Sequence, residues 1–586
     1  GYVSGQGTQY RFSHDRYYET AYSLTPEKKR LRIHERIGRA LLLEYERKGE
    51  LQENIFDVVN QFNMASALAD DGDEKRALAE LNMKAGKRAR LSIAYQSAAR
   101  YYRLGEALLD RDAWKSGYDL TMDIYRGLFE CEYFIGNNEE ADRLFGLIVK
   151  NARTVLEKAQ IHDLKVMLLM NSSRAKEAIR TGLDGLSLLG VHLNPKPSRF
   201  RLLWEMGRLW LYFRSHGIES VLKLPVMNNE ARSIVMSILV NMWTPAYTTN
   251  HGLMHLIPIT MIHTSLRHGN CNYSALGYAL FGMILTSGIG DFANGYRFGL
   301  VSRELGTRYP SDGLECALSF ILGAFLIHWR EHARNGIDYL RRAYNCGAGT
   351  GELYFSRLTC IFHAGNMSMK GDRLDEVLKT AGEYLDYSTR GKNHHVRQAL
   401  QVVIRTALQL QGRTIDSLDL GDASFDEMEF LDELIESEIS QPLHWYCVFK
   451  PKNLYIFGHF RKALDLLERY AETREWHFST MIFAEHLFVH SLIIAALYDE
   501  SEVKDRRRFM RILRVNQRKM KRWADNAPEN FQHKYLLLEA EINRIVHNHQ
   551  DAVRLYNEAI ESAASNGYMQ NAAIANELAG KFHLAR

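Results

Sequence analysis

From about residue 50 to its end the chain sets apolar and small residues at helical spacing and regroups them roughly every forty residues. In the clearest copies a Gly-containing turn precedes a small residue one turn into a helix, and an aromatic or aliphatic residue follows four further on. Gly136, Ala141 and Phe145 form one copy and Gly458, Ala463 and Leu467 another, while Ala552, Tyr556 and Ala559 repeat the helical part. Ala98 with Tyr102 and Ala178 with Gly182 are weaker copies, and Gly295, Gly336 and a degenerate Glu376 hold the marker position between them. Two helices and their loops fill such a period, and the small residue falls where paired helices approach too closely for a larger side chain. The pattern therefore predicts stacked antiparallel helix pairs forming an arm with a long concave surface. Residues 2–12, around Gly5-Gln6-Gly7, read instead as a small β-hairpin. Beyond them Thr25 can cap, and Pro26 open, a helix running through Ile33, Ile37 and Leu41.

A helix pair of this length with a small marker residue is the tetratricopeptide-like pattern, so the expected class is all-α, an α-solenoid. Composition agrees: ten prolines in 586 residues are few, and 46% hydrophobic with 25% charged is ordinary for a globular chain. A formal charge of +4 is near neutral for this size and selects no polyanionic partner. Cys131, Cys271, Cys316, Cys346, Cys360 and Cys447 lie far apart without a C-x-x-C pair, which suits reduced thiols rather than a disulfide framework or a zinc site. The start carries no basic and apolar leader, and the best apolar run, residues 317–329, is only a core helix long. The expected location is cytoplasmic. The opening hairpin has no preceding body to pack on, and residues 576–586 read as the first helix of a repeat whose second is missing, so a fragment of a longer protein is expected.

The segment RFSHDRYYETAYSLTPEKKRLRIHERIGRALL, residues 11–42, resembles the end of the winged-helix domain in STAND-class signalling ATPases. Its aromatic-x-His-Asp stretch is similar to the motif whose histidine touches a bound nucleotide diphosphate. The resemblance implies that role for His14, with Asp15 shaping the turn; read locally, His14 is a helix-start residue satisfied by backbone. No G-x-x-x-x-G-K-[ST] loop occurs in the chain, so the rest of a nucleotide site would precede it. The segments at 182–198, 265–305 and 351–377 resemble a bacterial and fungal family that joins a serine/threonine kinase-like domain, a STAND ATPase and a tetratricopeptide-like region to GAF and histidine-kinase or other output domains. The resemblance implies residues 1–50 as the C-terminal part of a winged-helix domain and 51–586 as the solenoid. It implies no cofactor within this chain and ATP or ADP in the parent protein.

Candidate catalytic groups are sparse. His251 and His255 are four apart with His263 two turns on, but Pro258 falls within that face and no carboxylate lies nearby in sequence. His486 and His490 follow Glu485, which is not the H-E-x-x-H order of a zinc protease. Residues 422–438 are acidic and read as an amphipathic helix with a negative outer face. Between Lys504 and Arg522 ten Lys or Arg stand against Asp505 alone, with Phe509, Leu513, Met520 and then Trp523 at helical spacing. That helix reads as a solvated face docking its apolar stripe, with a nucleic-acid backbone, an anionic membrane or an acidic domain as alternative partners.

Between Ser233 and Gly290 the only Asp, Glu, Lys or Arg is Arg267. Exposed solenoid helices keep a charged face, so these helices must be covered. Either the arm coils until its own turns enclose them, or they line a pocket or protein interface, for which Trp243, Tyr247, Asn250, His251, His255, Asn272 and Tyr278 are the candidates. The function expected is a sensor and scaffold arm, itself no enzyme, that binds a protein or small ligand on its surface, controls a nucleotide switch and serves a downstream output domain. A nucleic-acid-binding solenoid, or an α-helical enzyme with its site in residues 233–290, are the alternatives.

Overall fold

The computed structural model describes residues 3–6, 9–12, 15–69, 71–171, 174–350, 353–389, 394–437, 441–470 and 479–586. Strand β1, Val3–Gln6, pairs antiparallel with β2, Gln9–Phe12, with Val3 opposite Phe12 and Gln6 opposite Gln9. After Phe12 the described residues contain only helices, their connections and two isolated bridges. The chain is thus an all-α, tetratricopeptide-like solenoid. Among the described residues no helix is long and apolar enough to cross a membrane.

The helix Glu27–Lys48 departs from expectation at its start: Pro26 stands at the N-cap rather than inside the first turn. Its buried positions are His34 and Gly38, while Ile33 and Ile37 are largely exposed. The reason is local. His34 sits between Tyr22 and Gln61, 2.9 Å from the Tyr22 hydroxyl and 2.7 Å from Gln61 Oε1, and the ring of Phe62 lies 3.1 Å from where a Cβ on Gly38 would be.

The repeat markers take the positions their sizes require. Gly136 ends the helix Tyr118–Ile135 at φ 94°, a left-handed cap that glycine adopts without strain, and Ala141 is then fully buried in Asn138–Asn151. Gly295 faces Gly282 on the neighbouring helix so closely that a Cβ on it would stand 2.7 Å from the Gly282 carbonyl oxygen. Gly336 faces Gly323 in the same way, with a Cβ 3.0 Å from the opposing oxygen.

Two compact units make up the chain. The first comprises residues 1–174 and 184–190, the second residues 175–183 and 191–586. In the first, each helix from Glu27–Lys48 to Val155–Asn171 packs on the next or next but one, the contact range of a simple solenoid. Its apolar core includes one cluster around Ile55, Val59 and Leu78 and another around Ala79, Leu120 and Ile124.

The second unit adds contacts between residues 150 to 202 apart in sequence. A single buried cluster runs from Phe292 and Trp329 through Leu454, Phe488 and Trp523 to Phe582. The charge-poor stretch is here: the helices Glu230–Thr249, His251–His268 and Asn272–Ile284 bury Trp243, Met254, Met261, Tyr278 and Phe281. Pro258 does not end its helix: its pyrrolidine is buried within it and the helix runs on to His268.

Candidate functional site

The residues anticipated from sequence do not form one cluster. His14 lies outside the described residues, and Asp15 is the first residue of the helix Asp15–Leu24. Trp243 and Tyr247 do meet, with ring centroids 5.3 Å apart, and Tyr247 stands edge-on to Phe325 at 5.9 Å. Among the described residues Trp243 Nε1, Thr244 Oγ1 and the Tyr247 hydroxyl are buried without a hydrogen-bond partner, and burial pushes the Tyr247 phenol far up. Asn250 instead caps the next helix, accepting from Leu253 N at 3.1 Å and donating to the Pro195 carbonyl at 2.8 Å. His255 Nδ1 lies 2.6 Å from the His251 carbonyl oxygen, and burial lowers its pKa. Asn272 accepts from Tyr273 N, and Tyr278 donates to Asn270 Oδ1 at 3.2 Å. His263 finds a carboxylate that sequence distance concealed, Glu205, with Nε2 3.1 Å from Oε2. Among the described residues no group of three or more His, Cys, Asp or Glu is placed to hold a metal.

A seam in the second unit was not legible in the sequence. Asn530, in the helix Pro528–Ile545, donates to the carbonyls of His328 and Glu331, each at 2.7 Å, and accepts from Ala333 N and the Tyr568 hydroxyl, each at 2.8 Å. The first three partners lie 197 to 202 residues away in sequence. All four hydrogen-bonding positions of the amide are used. Ser479 makes a second node: its hydroxyl meets Thr286 Oγ1 at 2.6 Å, donates to the Phe325 carbonyl at 2.9 Å and accepts from Trp329 Nε1 at 3.1 Å. Phe325 and Thr286 both belong to π-helical segments, Leu322–Leu326 and Leu285–Ile289, where the wider turn alters the usual carbonyl pairing. Ser479 itself is held at φ 67°, a costly conformation for a residue with a Cβ. His332 Nε2 to the Asn566 carbonyl, and Gln570 donating to the Met369 carbonyl, extend the seam.

Behind the seam, Glu485 on the helix Met481–Leu497 is fully buried between Lys452, at 2.6 Å, and Lys534, at 2.5 Å. Burial alone would raise its carboxyl; the two ammonium groups outweigh that and hold it well below the usual carboxylate range. The group is a closed ionic triad, which explains why charges are tolerated in the core.

The two charged segments resolve differently. The acidic one forms the helix Glu427–Glu436, which buries Phe430, Leu431 and Leu434, but its Glu427 points inward to Tyr446 and Lys450 rather than joining the negative face. The basic one forms Val503–Asn526 and buries Phe509, Leu513, Met520 and Trp523, as its stripe requires. At its end Arg522 donates to the carbonyls of Ile289 and Gly290.

The helix Arg199–His216 is the surface that sequence reasoning missed. It buries Leu209 but leaves Phe200 77%, Trp204 62% and Trp210 55% exposed. Beside it opens a cleft of about 670 Å³ whose apolar lining includes Trp210, Phe213, Phe281 and Phe298 and whose polar lining is Arg214, Asp291, Asn294 and Arg297. The available signal was two apolar stripes on one helix, 202/206/209/213 and 200/203/204/207/211, with cations too numerous for full burial.

This surface sits on a helical repeat scaffold, a class that a family match over part of the chain supports. Residues 395–579 match the family described as CHK1-like, TPR repeats. Hybrid signal transduction histidine kinase G of Dictyostelium discoideum is 22% identical over an alignment of 443 residues that covers 68% of this chain and 13% of that protein. The chain therefore spans a small part of that relative. Among solved structures, yeast Tom70 aligns over 86% of this chain and 96% of its own, at 11% identity and TM-score 0.29. The Naa15/Naa10 complex bound to HypK-THB aligns over 94% and 96%, at 12% identity and TM-score 0.22.

Proposed function

We propose that the chain is the sensing and relay arm of a multidomain, cytoplasmic signalling protein. In this reading residues 51–586 bind a protein or small ligand, and residues 1–50 end a winged-helix domain that couples the arm to a nucleotide switch. His14 and Asp15 belong to that switch, ATP or ADP is bound by the parent protein, and the chain itself catalyses nothing. The similarity to a signal transduction histidine kinase supports a signalling role.

The observation that carries the relay is the seam. Contacts between residues 150 to 202 apart, concentrated in Asn530 and Ser479, make the coil of the second unit an element that can be closed or open. A ligand that binds one state better shifts the population, and the shift is what a switch can read.

The test uses Asn530→Asp in the full-length parent. The substitution keeps the shape but turns two donors into a carboxylate facing two carbonyls. Backbone hydrogen exchange across residues 328–333 is expected to rise roughly tenfold or more, and nucleotide exchange or basal output to shift with it. A seam that opens while exchange and output stay unchanged would refute the relay; a seam that stays closed would refute the clamp. The nucleic-acid alternative rests on the cations of the Val503 helix and would require binding to DNA or RNA that weakens steeply with salt.

A further inference from the structure

The second unit presents a face that its own fold leaves uncovered. Along the Arg199 helix Phe200, Leu203, Trp204, Trp210 and Leu211 are 55% to 77% exposed, and their i, i+3, i+4 spacing gathers them into one stripe. Gly207 lies in the middle, where an added Cβ would meet nothing within 4 Å. Arg199, Arg201, Arg208 and Arg214 accompany the stripe against one acid, Glu205, and that carboxylate is already engaged by Arg208 at 3.2 Å and His263 at 3.1 Å. The cleft alongside is mostly apolar; of its charged lining residues Arg297 is paired with Glu219 and Asp291 accepts from Asn294, which leaves Arg214, and its lining residue Ile289 takes a hydrogen bond from Arg522, which ends the run of cations on the Val503 helix.

We propose that this ridge and cleft dock an amphipathic helix with acidic flanks, contributed by another protein; the inference is independent of the seam. A row of large apolar side chains beside an apolar groove fits a helix laid along it and read by i/i+3/i+4/i+7 anchors. Arg208 is paired with Glu205, while Arg199, Arg201 and Arg214 select carboxylates over cations at the edges of that helix. Exposed Trp and Arg are the side chains that binding energy concentrates on. The mid-helix glycine costs helix stability and leaves room for a partner backbone to approach closely.

The probe is a fluorescent, helix-stapled peptide with the sequence of residues 422–438, DASFDEMEFLDELIESE, and a control in which each Asp and Glu is Lys. Titrated with the 586-residue chain, the acidic peptide is expected to bind saturably and roughly tenfold or more tightly than the control. Trp204→Ala and Gly207→Glu should each weaken it roughly tenfold or more. Gly207→Glu faces open space, so unchanged circular dichroism and melting separate lost docking from lost folding. Equal affinity for the two peptides, no binding, or indifference to Gly207→Glu overturns the proposal. So does binding to phosphatidylserine vesicles that Gly207→Glu abolishes and the peptide does not compete for, which would make the face a membrane site. Self-association that Gly207→Glu removes would make it an interface between copies, and likewise overturns it.

Discussion

Two helices of the second unit are built from nearly the same residues and end in opposite environments. Val503–Asn526 and Arg199–His216 are both rich in Arg and both set Phe, Leu and Trp at helical spacing. In the first, a single stripe is covered: Trp523 lies 5.5 Å from Trp329 and 5.9 Å from Phe531, ring to ring. In the second, the stripe containing Leu209 is covered and the one containing Phe200, Trp204 and Leu211 is not. A helix touching a solenoid along one side can bury only one stripe, so a second is left for something else.

The largest expected effect tests that distinction directly. Trp523→Ala should cost about 3–5 kcal/mol and lower the melting of the second unit, whereas Trp204→Ala should stay within about 0.5 kcal/mol. Equal losses measured by calorimetry would mean that the two stripes do not differ in the way described.

Acid sharpens the contrast further. His328, 4.7 Å from the Trp329 ring on which Trp523 packs, is pushed down to about 3 by burial, and burial likewise lowers His363 to about 4. Both pKa values are depressed in the folded state. Their stabilising contribution is therefore complete above the ordinary histidine pKa near 6.5 and is lost as pH falls from there toward 4 and 3. Each should remove about 1.4 kcal/mol per pH unit across that window. A pH series of melts showing a second unit equally stable at pH 7 and pH 5 would contradict the burial of these rings as neutral groups.

The smallest effect sets two glycines side by side. Gly290, beside the end of the Val503 helix, has φ 73°, and a Cβ there would stand 2.5 Å from Arg522 Cζ; Gly207, on the Arg199 helix, has open space. Gly290→Ala should destabilise by about 1 kcal/mol or more, and Gly207→Ala should stabilise by about 0.5–1 kcal/mol. Chemical denaturation giving both the same sign would remove the reason offered for a glycine on the exposed stripe.

Much of the fold was legible because it is local. The turn at Gly136, the buried Ala141, Ala463 and Ala552, and the facing glycines at 295 and 336 follow from which side chains fit between neighbouring helices, and neighbours in this fold are neighbours in sequence. The lack of charge between Ser233 and Gly290 likewise announced that these helices are covered. The partners of the candidate ligand set drawn from that stretch were less legible: Asn250 caps a helix, His255 meets a backbone carbonyl and Tyr278 donates to Asn270, contacts that polarity in an apolar stretch does not specify.

What the sequence determined by itself is therefore the helical repeat, its marker residues and the stripes each helix carries, since periodicity records which faces are apolar. What only the tertiary structure decided is which stripes are covered and which distant residues meet. Asn530 reaching His328 and Ser479 reaching Phe325 depend on how far the coil advances per turn. That advance is a small rotation summed over many repeats, so no single residue encodes it, and the same accumulation leaves the Arg199 stripe outside while the Val503 stripe is closed in.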